Sequence, residues 1–388
     1  MFEPSQVQKM TQIRDAYITG SAAFLPGPPV PCERMEDFLG RIHGRDSLLG
    51  RRALRWNGIA TRHYARHPNG GPTHSNAGMC AQAVAAALDD AGLARKQLGL
   101  LATATTQGDL LVPGHATSVH AELGGGALEL ASFQSVCGAS LMAAKSAWLA
   151  VRAGEHDVAV AAASECPSQF FQPAFYEGTA LVDAKGRLRA EADFLRFTLS
   201  DGAGAVAIEP RPKPGGPSLR IEFIDLVSLA HQYEPCMWAG AAIDARHDAR
   251  AGWGQAGPVA AHAAGALALL QDFSLLKQVI RGWVGIYLQK VEQGRIRPAA
   301  IDHLLCHYSA RSLRDELVSL MEKTDGMIPE HKWFSNLSTV GNVGAASIWV
   351  MLADFLRSGR LRPGEKVLCI VPESGRALVG FMLLEATR

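Results

Sequence analysis

Two stretches of the chain occur twice, in the same order. "LDDAGLARKQLGLLATATT" (88–106) matches "VEQGRIRPAAIDHLLCHYS" (291–309). Each reads as a helix end, a short basic turn and an apolar strand. "CGASLMAAKSAWLAVRAGEHDVAVAAASE" (137–165) matches "VGAASIWVMLADFLRSGRLRPGEKVLCIVPES" (343–374). Each reads as small residues, an aromatic-bearing helix, a basic glycine turn and a buried strand. Both matches are offset by about 205 residues, which is the mark of a duplicated unit rather than of α/β grammar in general. Between them lies "EPRPKPGGPSLR" (209–220), whose prolines and glycines read as a linker. The expected division is a first half over 1–210 and a second over 217–388.

Helical patterns alternate with short apolar runs in both halves. "LGLLATATT" (98–106), "DVAVAAASE" (157–165) and "GAGAVAIEP" (202–210) read as buried strands, so the fold class is α/β. Residues 231–300 show no counterpart of similar length in the first half. They read as a loop near the active site followed by helices. The first half carries its own insertion, 168–199, rich in phenylalanine. It reads either as the lining of an acyl or aryl tunnel or as a small satellite core.

Bulk properties exclude several classes. The formal net charge is +1 and no long basic run occurs, so nucleic acid and anionic membranes are not expected partners. No apolar run approaches the ~20 residues of a membrane span. The start, "MFEPSQVQKMTQIRD", lacks an apolar signal core. Seven cysteines with scattered spacing suit a reducing, cytoplasmic setting better than a disulfide framework.

Three positions carry candidate chemistry. Cys137 directly precedes a small-residue helix, where orphan N–H groups and the helix dipole favour a thiolate. A merely buried cysteine is the competing reading. His307 follows an apolar strand and precedes a helix, the strand end at which α/β folds place functional groups. Asn342 sits in a glycine-rich loop ahead of a helix, placed either to donate a side-chain N–H to an oxyanion or to cap a turn. The duplication aligns the Asn342 loop with the Cys137 loop, and the His307 strand with the strand ending near Thr103. A pseudo-dyad would thus gather all three near the centre. Glu165, after a buried strand, reads as a cap or as a base. Asp201 in "SDGAGA" reads as a turn residue.

Taken together, Cys137, "SDGAGAVAIE" (200–209), His307, "GNVGAASI" (341–348) and "NGIATRHYA" (57–65) resemble a thiolase-superfamily condensing enzyme of the β-ketoacyl-acyl-carrier-protein synthase III type. The resemblance covers nearly the whole chain. Its finer features, "AAFLPGPPVPCERMEDFLG", "THSNA", "SVCGAS" and "CMWAG", are similar to the ketosynthases of dialkylresorcinol and stilbene-type products.

The resemblance implies a thiolase fold, a duplicated five-layered αβαβα architecture. It implies that Cys137 takes an acyl group from a thioester, and that His307 and Asn342 hold the carbonyl oxygen of a second, malonyl or β-ketoacyl, thioester while a C–C bond forms. Backbone N–H groups of Cys137 and Gly375 would make the oxyanion hole. No bound cofactor and no metal is implied; acyl carrier protein or coenzyme A thioesters are substrates, and a homodimer is expected. Arg55, Trp56 and Arg62 would meet the pantetheine or the carrier, with Arg51 and Arg52 nearby. Trp56 stands where the family has an arginine on the coenzyme A nucleotide, which favours a carrier-protein donor. Tyr308, Ser309 and Ala310 replace the usual Gln-Ala-Asn after the histidine. The alternative activity on this fold is acyl transfer from Cys137 to an alcohol or amine. Retention of Asn342 favours condensation.

Overall fold

The computed structural model describes residues 13–47, 50 and 57–387. The chain runs through the same series of elements twice. The first half contains β1 (Tyr17–Phe24), α1 (Asn76–Ala91), β2 (Leu100–Thr105), α2 (His115–Leu123), β3 (Glu129–Gln134), α3 (Ala139–Ala153), β4 (Ala159–Glu165) and β5 (Gly202–Glu209). The second contains β6 (Leu219–Ser228), α4 (Phe273–Glu292), β7 (His303–Cys306), α5 (Arg311–Met321), β8 (Trp333–Phe334), α6 (Ser347–Arg357), β9 (Lys366–Glu373) and β10 (Leu378–Ala386).

These strands form a ten-stranded sheet in the order β8-β7-β9-β10-β6-β1-β5-β4-β2-β3. Read outward from the centre, each half places its first, fifth, fourth, second and third strand in turn. The directions repeat as well. In each half the outer three strands are parallel, and the fifth runs antiparallel to both its neighbours. The seam between the halves is slight: β1 meets β6 only through Tyr17–Arg220 and Ile18–Leu219.

The layers follow from alternation along the strands. On β5, Ala203, Ala205 and Ala207 face α1, whereas Val206 and Ile208 face α3 and α6. On β9, Leu368 and Ile370 face α4, whereas Val367, Cys369 and Val371 face the same central helices. The order is therefore α1 and α2, sheet, α3 and α6, sheet, α4 and α5. Strands covered on both sides must be apolar throughout, and every residue of β2 and β4 is buried. Small residues let the central helices come close. A Cβ on Gly204 would lie 2.5 Å from the Trp349 Cβ and 3.0 Å from the Val350 nitrogen.

Two sequence expectations need correction or refinement. Residues 231–300 do have a partial counterpart, because α4 precedes β7 as α1 precedes β2. Only 231–272 is additional, and it contains turns, short helices and a ribbon pairing Met237–Trp238 with Leu270–Gln271. The 168–199 insertion is not a separate satellite core. Phe171, Tyr176, Leu195 and Phe197 are buried in the main core around the central helices, while Phe170 and Leu199 line a cavity at the centre of the molecule.

Candidate active site

Cys137 lies between β3 and α3, immediately before the helix cap Gly138. It is 6% exposed, and that exposure opens into the narrow central cavity. Glu373, the last residue of β9, reaches across from the second half. Its Oε2 accepts the Gly138 N–H (2.9 Å) and its Oε1 accepts the Ser135 hydroxyl (2.7 Å). This alters the expected electrostatics of the helix start. One backbone donor that would favour a thiolate is committed to a buried carboxylate. Burial, then Glu373, then Glu165 push the Cys137 thiol well above its ordinary range. The surroundings favour the thiol in the free enzyme, not the thiolate expected from the helix alone.

Asn342 lies at the corresponding place before α6, and it shares the cavity with Cys137. Its backbone is clamped to the first half: Asn342 N–H donates to Thr198 O (3.2 Å), and Ser200 N–H donates to Asn342 O (2.8 Å). Its side-chain oxygen accepts the Gly344 N–H (2.9 Å) and the Ser347 hydroxyl (3.3 Å). A backbone N–H can only donate, so these bonds identify Oδ1 and leave Nδ2 as a donor with no partner among the described residues. The turn that allows this uses Gly341 at φ 81° and Gly344 at φ 51°.

His307 follows β7 directly, and its N–H extends the ladder to Ile370 O (2.8 Å). In the sheet register it takes the place that Ala104 takes in the first half, since His303 pairs with Val367 as Leu100 pairs with Ala159. The ring is 3% exposed, and burial lowers it to about 4, so it is a neutral imidazole at ordinary pH. Among the described residues neither ring nitrogen has a hydrogen-bond partner, yet neither is sealed from solvent. His307 is not part of the cavity wall that Cys137 and Asn342 share. The same uncommitted state holds for the two backbone donors. Among the described residues, neither the Cys137 nor the Gly375 N–H bonds another residue; the Cys137 N–H meets only its own sulfur. Gly375 presses on the residue before Cys137, since a Cβ there would lie 2.5 Å from Val136 Cγ2. A thiol, two backbone donors not committed to other residues and an oriented amide suit chemistry at a carbonyl.

Glu165 ends β4 as Glu373 ends β9. Its Oε1 accepts the Thr106 N–H (3.0 Å), the Thr106 hydroxyl (2.6 Å) and the Ala345 N–H (3.1 Å). The capping reading of Glu165 therefore describes one of its two oxygens. Asp201 is a buried turn residue, accepting from the Ser168 and Ala65 N–H groups and the Ser168 hydroxyl.

Arg62 requires a correction. It is fully buried, with its guanidinium on the Phe197 carbonyl and 3.2 Å from Cys32 Sγ. It ties two segments of the first half together and presents nothing to a pantetheine or carrier. Arg51, Arg52, Arg55 and Trp56 lie outside the described residues. Arg376 is exposed, and its Nε donates to the Tyr233 carbonyl (2.9 Å). Glu373 was not singled out by the sequence reading, although the signal lay in the duplicated stretches. "AAASE" ends in Glu165, and "IVPES" carries Glu373 just before its last residue.

Comparison with known proteins accords with this arrangement. The family described as 3-oxoacyl-[acyl-carrier-protein (ACP)] synthase III C terminal matches residues 291–383, and the β-ketoacyl synthase N-terminal domain matches 112–213. The β-ketoacyl-[acyl-carrier-protein] synthase III of Rhodospirillum rubrum is 26% identical over 353 residues, covering 90% of this chain and 93% of that protein. The chain belongs to the synthase III-like condensing enzymes of the thiolase superfamily. Another relative in this group, the acetoacetyl CoA synthase NphT7 of a Streptomyces species, is 26% identical over 383 residues, covering 97% of this chain and all of that protein. Solved structures share the thiolase fold at lower identity. The tetronic acid condensing enzyme AbyA1 superposes with TM-score 0.74 at 20% identity, covering 95% of this chain and 99% of its own. Cerulenin-bound OleA of Xanthomonas campestris gives 0.70 at 18%, covering 96% and 97%.

Proposed function

We propose that this condensing enzyme loads an acyl group from a thioester onto Cys137 and joins it to a second thioester by C–C bond formation. The observation that carries this reading is the shared cavity. Cys137 and Asn342 come from corresponding helix starts of opposite halves and line the same narrow space. Attack by Cys137 sulfur on the acyl carbonyl would place the oxyanion at the Cys137 and Gly375 N–H groups; its collapse would break the donor's C–S bond, and the Cys137 proton would leave on the released donor thiol. Asn342 Nδ2 and the neutral His307 ring would hold the carbonyl oxygen of the second thioester and stabilise its enolate. Asn342 is an amide donor, which favours condensation over transfer to an alcohol or amine.

The second substrate is a malonyl or β-ketoacyl thioester, and the product is a fatty-acid, polyketide or dialkylresorcinol-type β-keto compound. An acyl carrier protein is the proposed donor. A homodimer accords with the outer edge of the sheet. There β3 pairs on one side only, beside a loop whose Leu110, Leu111 and Val112 are exposed. No helix among the described residues is long and apolar enough to cross a membrane, and the cytoplasm is the proposed setting.

Intact-protein mass spectrometry tests the loading step. Wild type should gain one acyl mass from carrier-protein or coenzyme A thioesters, and Cys137→Ala should gain none. Adding malonyl or β-ketoacyl thioesters should then discharge the adduct into a condensed product. Failure of wild type to acylate with any donor would overturn the reading.

A further inference from the structure

Glu165 is a buried carboxylate whose two oxygens are in different circumstances. Oε1 is saturated by three donors from the ends of two loops, Thr106 and Ala345. Oε2 has no hydrogen-bond partner among the described residues and is not sealed from solvent. The residue is 6% exposed and lines the cavity with Cys137 and Asn342, so that access leads to the site of the thiol. A cap needs one oxygen. The second is a rigidly held acceptor facing the space where two thioesters would meet.

We propose that Glu165 is the base that takes the α-proton of the second thioester, so that the enzyme accepts acyl or β-ketoacyl thioesters without an α-carboxylate to lose. This rests on the condensing reading above and names its second substrate class. The α C–H bond breaks and its proton passes to Glu165 Oε2. The electron pair forms an enolate whose oxygen is held by Asn342 Nδ2. The enolate carbon attacks the acyl carbonyl on Cys137, and the C–C bond forms. The tetrahedral oxyanion collapses, the C–S bond breaks, and the Cys137 thiolate takes the proton back from Glu165. Protons and electrons balance with no other reactant.

The surroundings suit both transfers. Burial raises Glu165 to about 7, with Asp201 adding to the rise and the Thr106 and Ala345 donors opposing it. Such a carboxylate is a stronger base than an exposed one and still ionises near neutrality. The Cys137 thiol, raised by its own burial and by Glu373 and Glu165, retains the returned proton. The cavity's other titratable groups are Cys137 and Cys166, and burial raises Cys166 as well.

The test compares wild type with Glu165→Gln, which keeps the Oε1 acceptor and replaces Oε2 with an amide nitrogen. Each is first acylated on Cys137 and the adduct quantified by mass. Octanoyl-pantetheine or malonyl-pantetheine is then supplied in deuterium oxide, and condensed product and α-deuteration are measured. Wild type should condense the octanoyl thioester, with a rate rising with pH through about 7. Compared at equal amounts of Cys137 adduct, Glu165→Gln should lose octanoyl condensation by about 100-fold or more, the scale of one general base. Any malonyl condensation should fall far less, because decarboxylation supplies the enolate. Three results would overturn the proposal: equal octanoyl condensation in both proteins, a loss of acylation matching the loss of condensation, or acylated wild type that uses malonyl but not octanoyl thioester. Absence of acylation in wild type would instead remove the condensing reading itself.

Discussion

Glu165 and Glu373 occupy matching positions in the two halves, and each clasps the helix start of the other half. Glu165 ends β4 opposite Gly202, the first residue of β5, and accepts the Ala345 N–H ahead of α6. Glu373 ends β9 opposite Leu378, the first residue of β10, and accepts the Gly138 N–H ahead of α3. The clasps hold the Cys137 and Asn342 loops against a common centre. They also place two carboxylates near one thiol.

The Glu373 clasp predicts two separable effects. Glu373→Ala leaves the buried Gly138 N–H and the Ser135 hydroxyl without their acceptor, which costs about 1–3 kcal/mol for a buried donor. Urea unfolding should show this, with a smaller loss for Glu373→Gln. The thiol should respond to charge in either variant. A neighbouring anion disfavours the thiolate, so its removal lowers the Cys137 pKa. Iodoacetamide alkylation followed against pH should begin at lower pH than in wild type.

Asn342→Asp replaces an N–H donor with a carboxylate where the proposed enolate would develop. Condensation should fall by about 100-fold or more, as when one oxyanion donor is removed. The proposed acylation of Cys137, which would use backbone N–H groups, should fall much less. Single-turnover mass measurements separate the two steps.

His307 predicts a pH dependence of stability. Its folded value of about 4 lies below the ordinary 6.5, so the unfolded chain binds the proton more tightly. Its contribution is complete above about pH 6.5 and is lost as pH falls towards 4. Glu165 and Asp201, raised by burial to about 7 and about 6, slope the opposite way, and His115, lowered by burial to about 4, slopes the same way. The quantity to read is the difference between wild type and His307→Asn. Unfolding free energies measured from pH 4 to 7.5 should show wild type losing more stability on acidification than the variant.

Much of this arrangement is legible in the sequence, because duplication gives the same physics twice. The strands over 100–105, 159–165 and 202–209 and the positions of Cys137, His307 and Asn342 follow from apolar runs bounded by glycine and from aligned loops. Long-range pairing was less accessible. Nothing local to Arg62 shows that its guanidinium is spent on the Phe197 carbonyl and sealed from solvent. The thiol's environment was misread for a similar reason. A helix start is visible in the sequence, but the carboxylate that answers it stands on a strand of the other half. Only matching the ends of the two strands, Glu165 with Glu373, would have revealed it.

Close packing of the central helices gives a further prediction. Gly204→Ala directs a methyl group into the backbone of α6 beside Trp349, where neither partner can swing aside. Overpacking of this kind costs about 1–3 kcal/mol. The melting temperature should fall, whereas alanine at Gly126, which meets nothing within 4 Å, should leave it nearly unchanged.

The exposed sheet edge predicts assembly. Leu111→Asp places a charge on the apolar loop beside β3, where Leu111 is 83% exposed. Light scattering at micromolar concentration should give twice the 41.4 kDa chain mass for wild type and a shift towards the single chain for the variant.

The slight seam between β1 and β6 has a consequence for synthesis. The ribosome releases the half bearing Cys137 first, and only two residue pairs then join it to the second half of the sheet. Until β9 emerges and docks, the thiol has no Glu373 beside it and no second half closing its cavity. The nascent chain therefore passes through an interval in which the cavity beside Cys137, the proposed nucleophile, lacks the wall that Met237, Leu269, Asn342 and Gly344 supply. Protection and competence arrive together, when the last strands close the sheet.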